Sequence, residues 1–185
     1  MREIGKFYLL LHPRPAYVIG SGKWGERINF MAASWVSPVG EEPPSLMISV
    51  DKESLTSELI EAHGEFTVNV IPASLLDKLY YVGSRSGREV DKSSVFGAVK
   101  GERVKAPVVS EAMGVIECRL MKKLDMGDVN LFIGEVLSAR ARSDTFSERT
   151  GWNFREVNIP LHGWGRNFFT IGSQLRVGKQ ISEIG

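Results

Sequence analysis

The chain has 185 residues, 23 Lys plus Arg against 22 Asp plus Glu, and 43% hydrophobic residues. That length suits one domain with its own core, and the near-neutral charge argues against a general polyanion binder or a disordered acidic segment. A single cysteine excludes an intramolecular disulfide framework and a multi-thiolate metal site.

The N-terminal apolar run breaks at His12-Pro13-Arg14-Pro15, a pattern of neither a signal peptide nor a membrane span, so a cytoplasmic protein is expected. Pro15 to Ser21 reads as a strand, Gly22-Lys23-Trp24-Gly25 as a turn, and Ile28 to Ala32 as the returning strand. Ser45 to Val50 is a third strand behind a Pro43-Pro44 stop. A helix is predicted over Leu55 to Ala62, with Glu58 near its electropositive start, Gly64 as its stop, and either Ser54 or Thr56 as its cap. Phe66 to Ile71 alternates as a strand. Leu75 to Tyr81 reads as a second helix, with Ser74 and Asp77 forming a variant capping box.

The strongest hairpin signal lies in the second half, where Gly114 to Leu124 and Val129 to Ala141 flank Asp125-Met126-Gly127-Asp128. Its alternation puts Ile116, Cys118 and Leu120 on an apolar face, with Glu117 and Arg119 partly solvated. Cys118 is therefore expected as a buried structural thiol. Roughly seven strands, short turns and two short helices predict an all-β core built as an antiparallel barrel; a doubly wound parallel sheet would need a helix after nearly every strand. One domain is expected over residues 1–172, with a loosely held polar tail over 173–185.

Glycine-rich dinucleotide and P-loop fingerprints are absent, as is a nucleophile elbow, and His12, His63 and His162 lack metal spacing, so no metal site is expected. Two hydroxyl-bearing, basic clusters remain. Asp51 to Ser57 passes from a strand end into a helix start, where free amides, Ser54, Thr56, Ser57 and the Lys52 ammonium could hold a phosphate. Taken alone, ordinary capping beside a solvated charge run is the plainer reading. The second is Ser86-Gly87-Arg88 with Lys92, within a polar, glycine-punctuated stretch; its plain alternative is an inert surface loop. Asn29 to Trp35 offers small side chains against which a flat ring could lie, and Trp35, Trp152, Trp164, Phe168 and Phe169 could wall one or simply pack a core.

The order and spacing of these pieces resemble the flavin reductase-like family of FMN-binding split barrels, which includes flavoredoxin and archaeal ferric reductase. Arg14-Pro15, Asn29, Ala33 to Pro38, Pro43 to Val50, Asp51 to Thr56, Phe66 to Asn69 and the distinctive Ser86-Gly87-Arg88-Glu89-Val90-Asp91-Lys92 carry it. Ala106-Pro107, Glu117-Cys118, Gly134-Glu135-Val136 and Pro160-Leu161-His162 extend it over roughly residues 10 to 172. The resemblance implies an antiparallel split β-barrel and a homodimer with FMN near the subunit interface. Asn29, Ala33, Ser34 and the backbone of Ser49, Val50, Asp51 and Lys52 would line the isoalloxazine or its polar edge. Ser54 and Thr56 would hold the ribityl phosphate together with Ser86, Gly87, Arg88 and Lys92, and His162 would lie near the flavin, from its own subunit or across the dimer. Leu55 departs from relatives that carry a bulky aromatic or His there.

The implied activity is that of an FMN-dependent oxidoreductase, first an NAD(P)H:flavin or ferric reductase with NADH or NADPH as donor. Free flavin, a ferric chelate or an electron-transfer protein would be the acceptor, and Lys52 could favour reduced flavin from beside its N1 edge. The cofactor would carry the redox step, so no catalytic side chain is expected. An FMN electron carrier that does not itself oxidise nicotinamide is the main alternative. A small nucleic-acid-binding barrel is the third, with a conceivable aromatic platform but a charge balance poor for phosphate backbones.

Overall fold

A computed structural model of the chain describes residues 1–175. A short 3-10 helix at Phe7–Leu11 precedes β1 (Arg14–Pro15), β2 (Tyr17–Gly22), β3 (Ile28–Ala33), β4 (Val36–Glu41) and β5 (Pro44–Asp51). Then come α1 (Leu55–His63), β6 (Glu65–Val70), a 3-10 turn at Ala73–Leu75 and α2 (Leu76–Ser84). The second half holds β7 (Ala98–Lys100), β8 (Pro107–Val109), β9 (Gly114–Asp125) and β10 (Val129–Ala141). Four short strands close the order: β11 (Phe146–Ser147), β12 (Gly151–Trp152), β13 (Leu161–Trp164) and β14 (Asn167–Phe169).

The central sheet is antiparallel throughout, with seven strands in the order β3-β2-β6-β9-β10-β5-β4. Its two end strands, β3 and β4, are joined in sequence by Ser34 and Trp35 alone. Two residues span so little distance that the sheet must curl until its ends approach, yet no ladder joins them. The result is a split barrel rather than the fully closed one that edge removal would favour.

Period-two alternation buries both faces of β2. Ile19 enters the barrel core with Ile48, Phe66, Val68, Cys118 and Phe132. Val18 faces the other way, into a cluster with Phe30, Ile71, Leu79, Val82 and Phe96 beneath α2.

Several local expectations change. Val36–Glu41 forms a strand absent from the sequence reading, and Glu42-Pro43 is its two-residue turn into β5, so Pro43-Pro44 reverses the chain instead of merely stopping it. Ser74 caps nothing. It sits inside the 3-10 turn, and α2 begins one residue later with Leu75 at its cap position and no side-chain cap bond. Glu117 is fully buried, not partly solvated. The 102–104 backbone folds over it and donates three amides to its carboxylate, from Glu102, Arg103 and Val104 at 3.1, 2.7 and 3.1 Å, while Arg140 adds an ion pair. Of the expected tail over 173–185, residues 173–175 carry no helix or strand, and the remainder lies outside the described residues. No helix among the described residues is long and apolar enough to cross a membrane.

Candidate functional site: a trough between two loop clusters

α1 starts where β5 ends, and its N-terminus is built locally. Ser54 resolves the cap: its Oγ donates to Asp51 O at 2.7 Å and accepts the Ser57 amide at 3.1 Å. First-turn amides have no partner within a helix. With Ser57 and Glu58 served by Ser54, those of Leu55 and Thr56 are left for another acceptor. Thr56 is buried and accepts from Asn29 Nδ2 at 2.9 Å, which locks the helix start to β3. From the other side Asn130 donates to Ser57 Oγ at 2.8 Å.

The second cluster follows α2. Lys92 is 4% exposed, and its ammonium donates to Val82 O at 2.9 Å and Arg85 O at 3.0 Å. Burial pushes that ammonium down to about 8. Ser86 Oγ accepts the Arg88 amide at 3.2 Å, and the Glu89 and Val90 amides bond to Ser86 O, making a tight turn. Gly87 lies hard against β3 and α1, where an added Cβ would stand 2.6 Å from Asn29 Oδ1 and 3.1 Å from Leu55 Cδ2. The Arg88 guanidinium reaches α1 instead of the cavity centre, donating to Glu53 O at 2.8 Å and pairing with Glu58 at 2.7 Å.

These two clusters meet. Asn29, Asp51, Ser54, Thr56, Ser86 and Lys92 line one cavity of about 410 Å³ that also takes in Leu55, Gly83, Arg85 and Gly87. A second hollow of about 380 Å³ adjoins it, with Gly83 and Ser84 lining both. Ala32, Ala33, Ser34, Tyr80, His162, Trp164 and Phe168 shape that end. Gly83 permits the close approach of α2, since a Cβ there would lie 2.8 Å from Ala32 Cβ. His162 stands 5.0 Å from the Phe168 ring and 5.6 Å from that of His12. His12 donates from Nδ1 to His162 O at 3.0 Å, and burial, with His12 beside it, holds the His162 imidazolium below its usual range.

The trough is thus polar and donor-rich at one end, and small-walled and aromatic at the other. Asn29, Ala33, Ser34, Asp51, Ser54, Thr56, Ser86, Gly87, Lys92 and His162 line it, whereas Arg88 pairs with Glu58 and lines a neighbouring hollow instead. Ser49, Val50 and Lys52 are not brought in. The Ser49 amide bonds to Trp35 O at 2.9 Å, and Val50 is buried in the barrel. The Lys52 ammonium pairs with Asp125 at the β9–β10 turn, which raises its pKa. Trp152 lines a separate apolar cavity of about 660 Å³ with Tyr17, Leu46 and Phe146. The sequence reading did not assign Gly83, Ser84 or Arg85 to a site; the glycine ending α2 was their only signal. Among the described residues, no group of three or more His, Cys, Asp or Glu could hold a metal ion.

The model of the flavin reductase like domain matches residues 9–172. The chain belongs to this family. It is 33% identical over 176 residues to an uncharacterized Archaeoglobus fulgidus protein, covering 93% of this chain and 96% of the relative. An uncharacterized Escherichia coli protein is 34% identical over 176 residues, covering 92% and 93%. The crystal structure of flavoredoxin from Methanosarcina acetivorans superposes with a TM-score of 0.87 at 27% identity, over 99% of this chain and 97% of that one. The expected family, and its split barrel with short helices, are those found. The chain stands among flavin-dependent oxidoreductases.

Proposed function

We propose that this chain binds FMN along the trough, phosphate toward Thr56 and Ser86 and ring system toward Ala33 and Ser34, and works as an NAD(P)H-dependent flavin or ferric reductase. The convergence of the two loop clusters on one cavity carries this reading. A phosphate dianion suits the donor set: two unpartnered helix amides, the hydroxyls of Thr56 and Ser86, and the Lys92 ammonium. A planar ring suits the other end, where alanine, serine and glycine keep side chains short and Trp164 and Phe168 supply flat walls.

Bound FMN supplies acceptance of two electrons from a reduced nicotinamide and their release to an acceptor. The chain's residues position and insulate. Asn29 holds α1 and the 86–92 turn at a set separation, so the phosphate seat is preformed. Tyr80, Trp164 and Phe168 exclude water along one side of the ring end. His162 presents an imidazole whose charged form is disfavoured, leaving a neutral hydrogen-bonding group beside the ring. Lys52 pairs with Asp125 at the β9–β10 turn, away from the cavity lining.

A homodimer would bring a second copy against the open ring end, where Trp35 and Trp164 are 38% and 45% exposed. The same exposure favours the second reading, an electron carrier that meets a protein partner there. The visible absorption spectrum of the purified protein, with identification of the released cofactor, tests FMN. Bleaching of that spectrum by NADH or NADPH under anaerobic conditions marks the reductase. Retained FMN that neither nicotinamide bleaches marks the carrier, and a colourless protein that takes up no FMN overturns both.

A further inference from the structure

We infer that Lys92 makes capture of the flavin phosphate proton-linked: its Nζ is held by the carbonyls of Val82 and Arg85, and only the protonated form has a third N–H to offer the cavity. This rests on the phosphate end proposed above and adds the state in which that end binds.

The argument is one of valence. An ammonium has three N–H donors; a neutral amine has two and a lone pair. The two carbonyls, at 2.9 and 3.0 Å, accept two hydrogens in either state. Losing the proton therefore turns the third position from a charged donor into a lone pair beside a phosphate dianion, replacing a charge-assisted hydrogen bond by repulsion. The charge has a second task. Val82 O and Arg85 O end α2, where helix carbonyls carry partial negative charge, and without the ammonium that charge would stand against the phosphate.

Burial brings the Lys92 ammonium down to about 8, so the change falls within ordinary working pH. A bound dianion favours the charged form, so binding takes up a proton. Affinity is then full below pH 8 and falls as pH rises above it. The other charged groups around Lys92 are Asp51 and Glu53 before α1, Arg85, Arg88, Glu89 and Asp91 on its own loop, and Glu26 and Arg27 from the β2–β3 turn. Glu58 on α1 faces Arg88. A phosphate monoester completes its ionisation near pH ~6, below this window. Lys92 is the group at this end that changes charge.

FMN titrated into flavin-free protein at constant ionic strength tests this. With a free-state value of about 8, the dissociation constant should weaken about tenfold between pH 7 and pH 9. Calorimetry in buffers of different ionisation enthalpy should show about half a proton taken up per FMN at pH 8. Riboflavin, which lacks the phosphate, should show neither effect, and Lys92→Arg, charged throughout, should bind FMN with a flat profile. A wild-type FMN affinity constant from pH 7 to 9 without proton uptake, or an equal slope for riboflavin, overturns the inference alone. Absence of FMN binding at every pH overturns the flavin reading and this inference with it.

Discussion

The Asn29 side chain donates to Thr56 Oγ1 across 2.9 Å, and its other polar atom, Oδ1, occupies the space a side chain on Gly87 would need. One buried amide thereby sets the distance between the start of α1 and the 86–92 turn. Gly87→Ala would place a Cβ 2.6 Å from Oδ1, so Asn29 or the turn must move. FMN should bind about tenfold more weakly, about 1.4 kcal/mol. Loss of about 1 kcal/mol of stability would lower the melting temperature by ~2–4 °C. Fluorescence titration and thermal melts check both; unchanged affinity would show that the spacing is not limiting.

Arg88 and Glu58 offer a sharper distinction. Their ion pair is about half exposed on both sides, so its loss should cost no more than about 1 kcal/mol of stability. If the pair serves to pin the turn to α1, Arg88→Ala and Glu58→Gln should weaken FMN binding together. Should Arg88 act on the phosphate directly, Glu58→Gln would free it and tighten binding. Dissociation constants of the two variants decide.

Glu117 is a buried carboxylate that earns its place through four partners: the amides of residues 102 to 104 and Arg140. Glu117→Ala leaves the three amides without an acceptor, while Arg140 keeps its pair with Glu102, at a cost of about 1–3 kcal/mol. Because Glu117 lines neither end of the trough, FMN affinity of the folded variant should hold. Urea unfolding gives the first quantity and flavin titration the second.

Cys118 is fully buried, and burial, with the Glu117 charge adding to it, pushes its thiol up to about 12. The native protein should resist an aromatic disulfide reagent and react only on unfolding. Cys118→Ser buries a hydroxyl and should cost about 1–3 kcal/mol without altering the flavin spectrum or turnover. Lost turnover in a folded, flavin-loaded variant would give the thiol a chemical role.

Lys92 also links pH to the stability of the flavin-free protein. Its value falls from 10.5 to about 8 on folding, so between those limits the unfolded chain binds more protons at this site. Stability from this group therefore rises with pH across the window. Relative to Lys92→Met, wild type should gain in denaturant midpoint from pH 8 to pH 10. A constant difference would place Lys92 in water.

Short-range chemistry made much of this legible. Ser54 and Gly64 bound α1 as a cap and a left-handed stop at φ 68°, and Gly127 closes the β9–β10 turn at φ 89°. β4 was illegible because Pro38 and Gly40 break its alternation, and an edge position tolerates that break. Lys52 read as a site cation, but Asp125, 73 residues away, claims its charge.

Residue types and their nearest neighbours sufficed for the strands of the main hairpin, the buried thiol and the two phosphate-suited clusters, since capping, turn chemistry and alternation act over a few positions. Which charges face the trough was decided by the folded chain alone. Backbone from residues 102 to 104 dried Glu117, the end of α2 seized Lys92, and α1 drew Arg88 to its flank. Hydrogen bonding and desolvation depend on distance in space, and curling the sheet brings together groups that lie far apart along the chain.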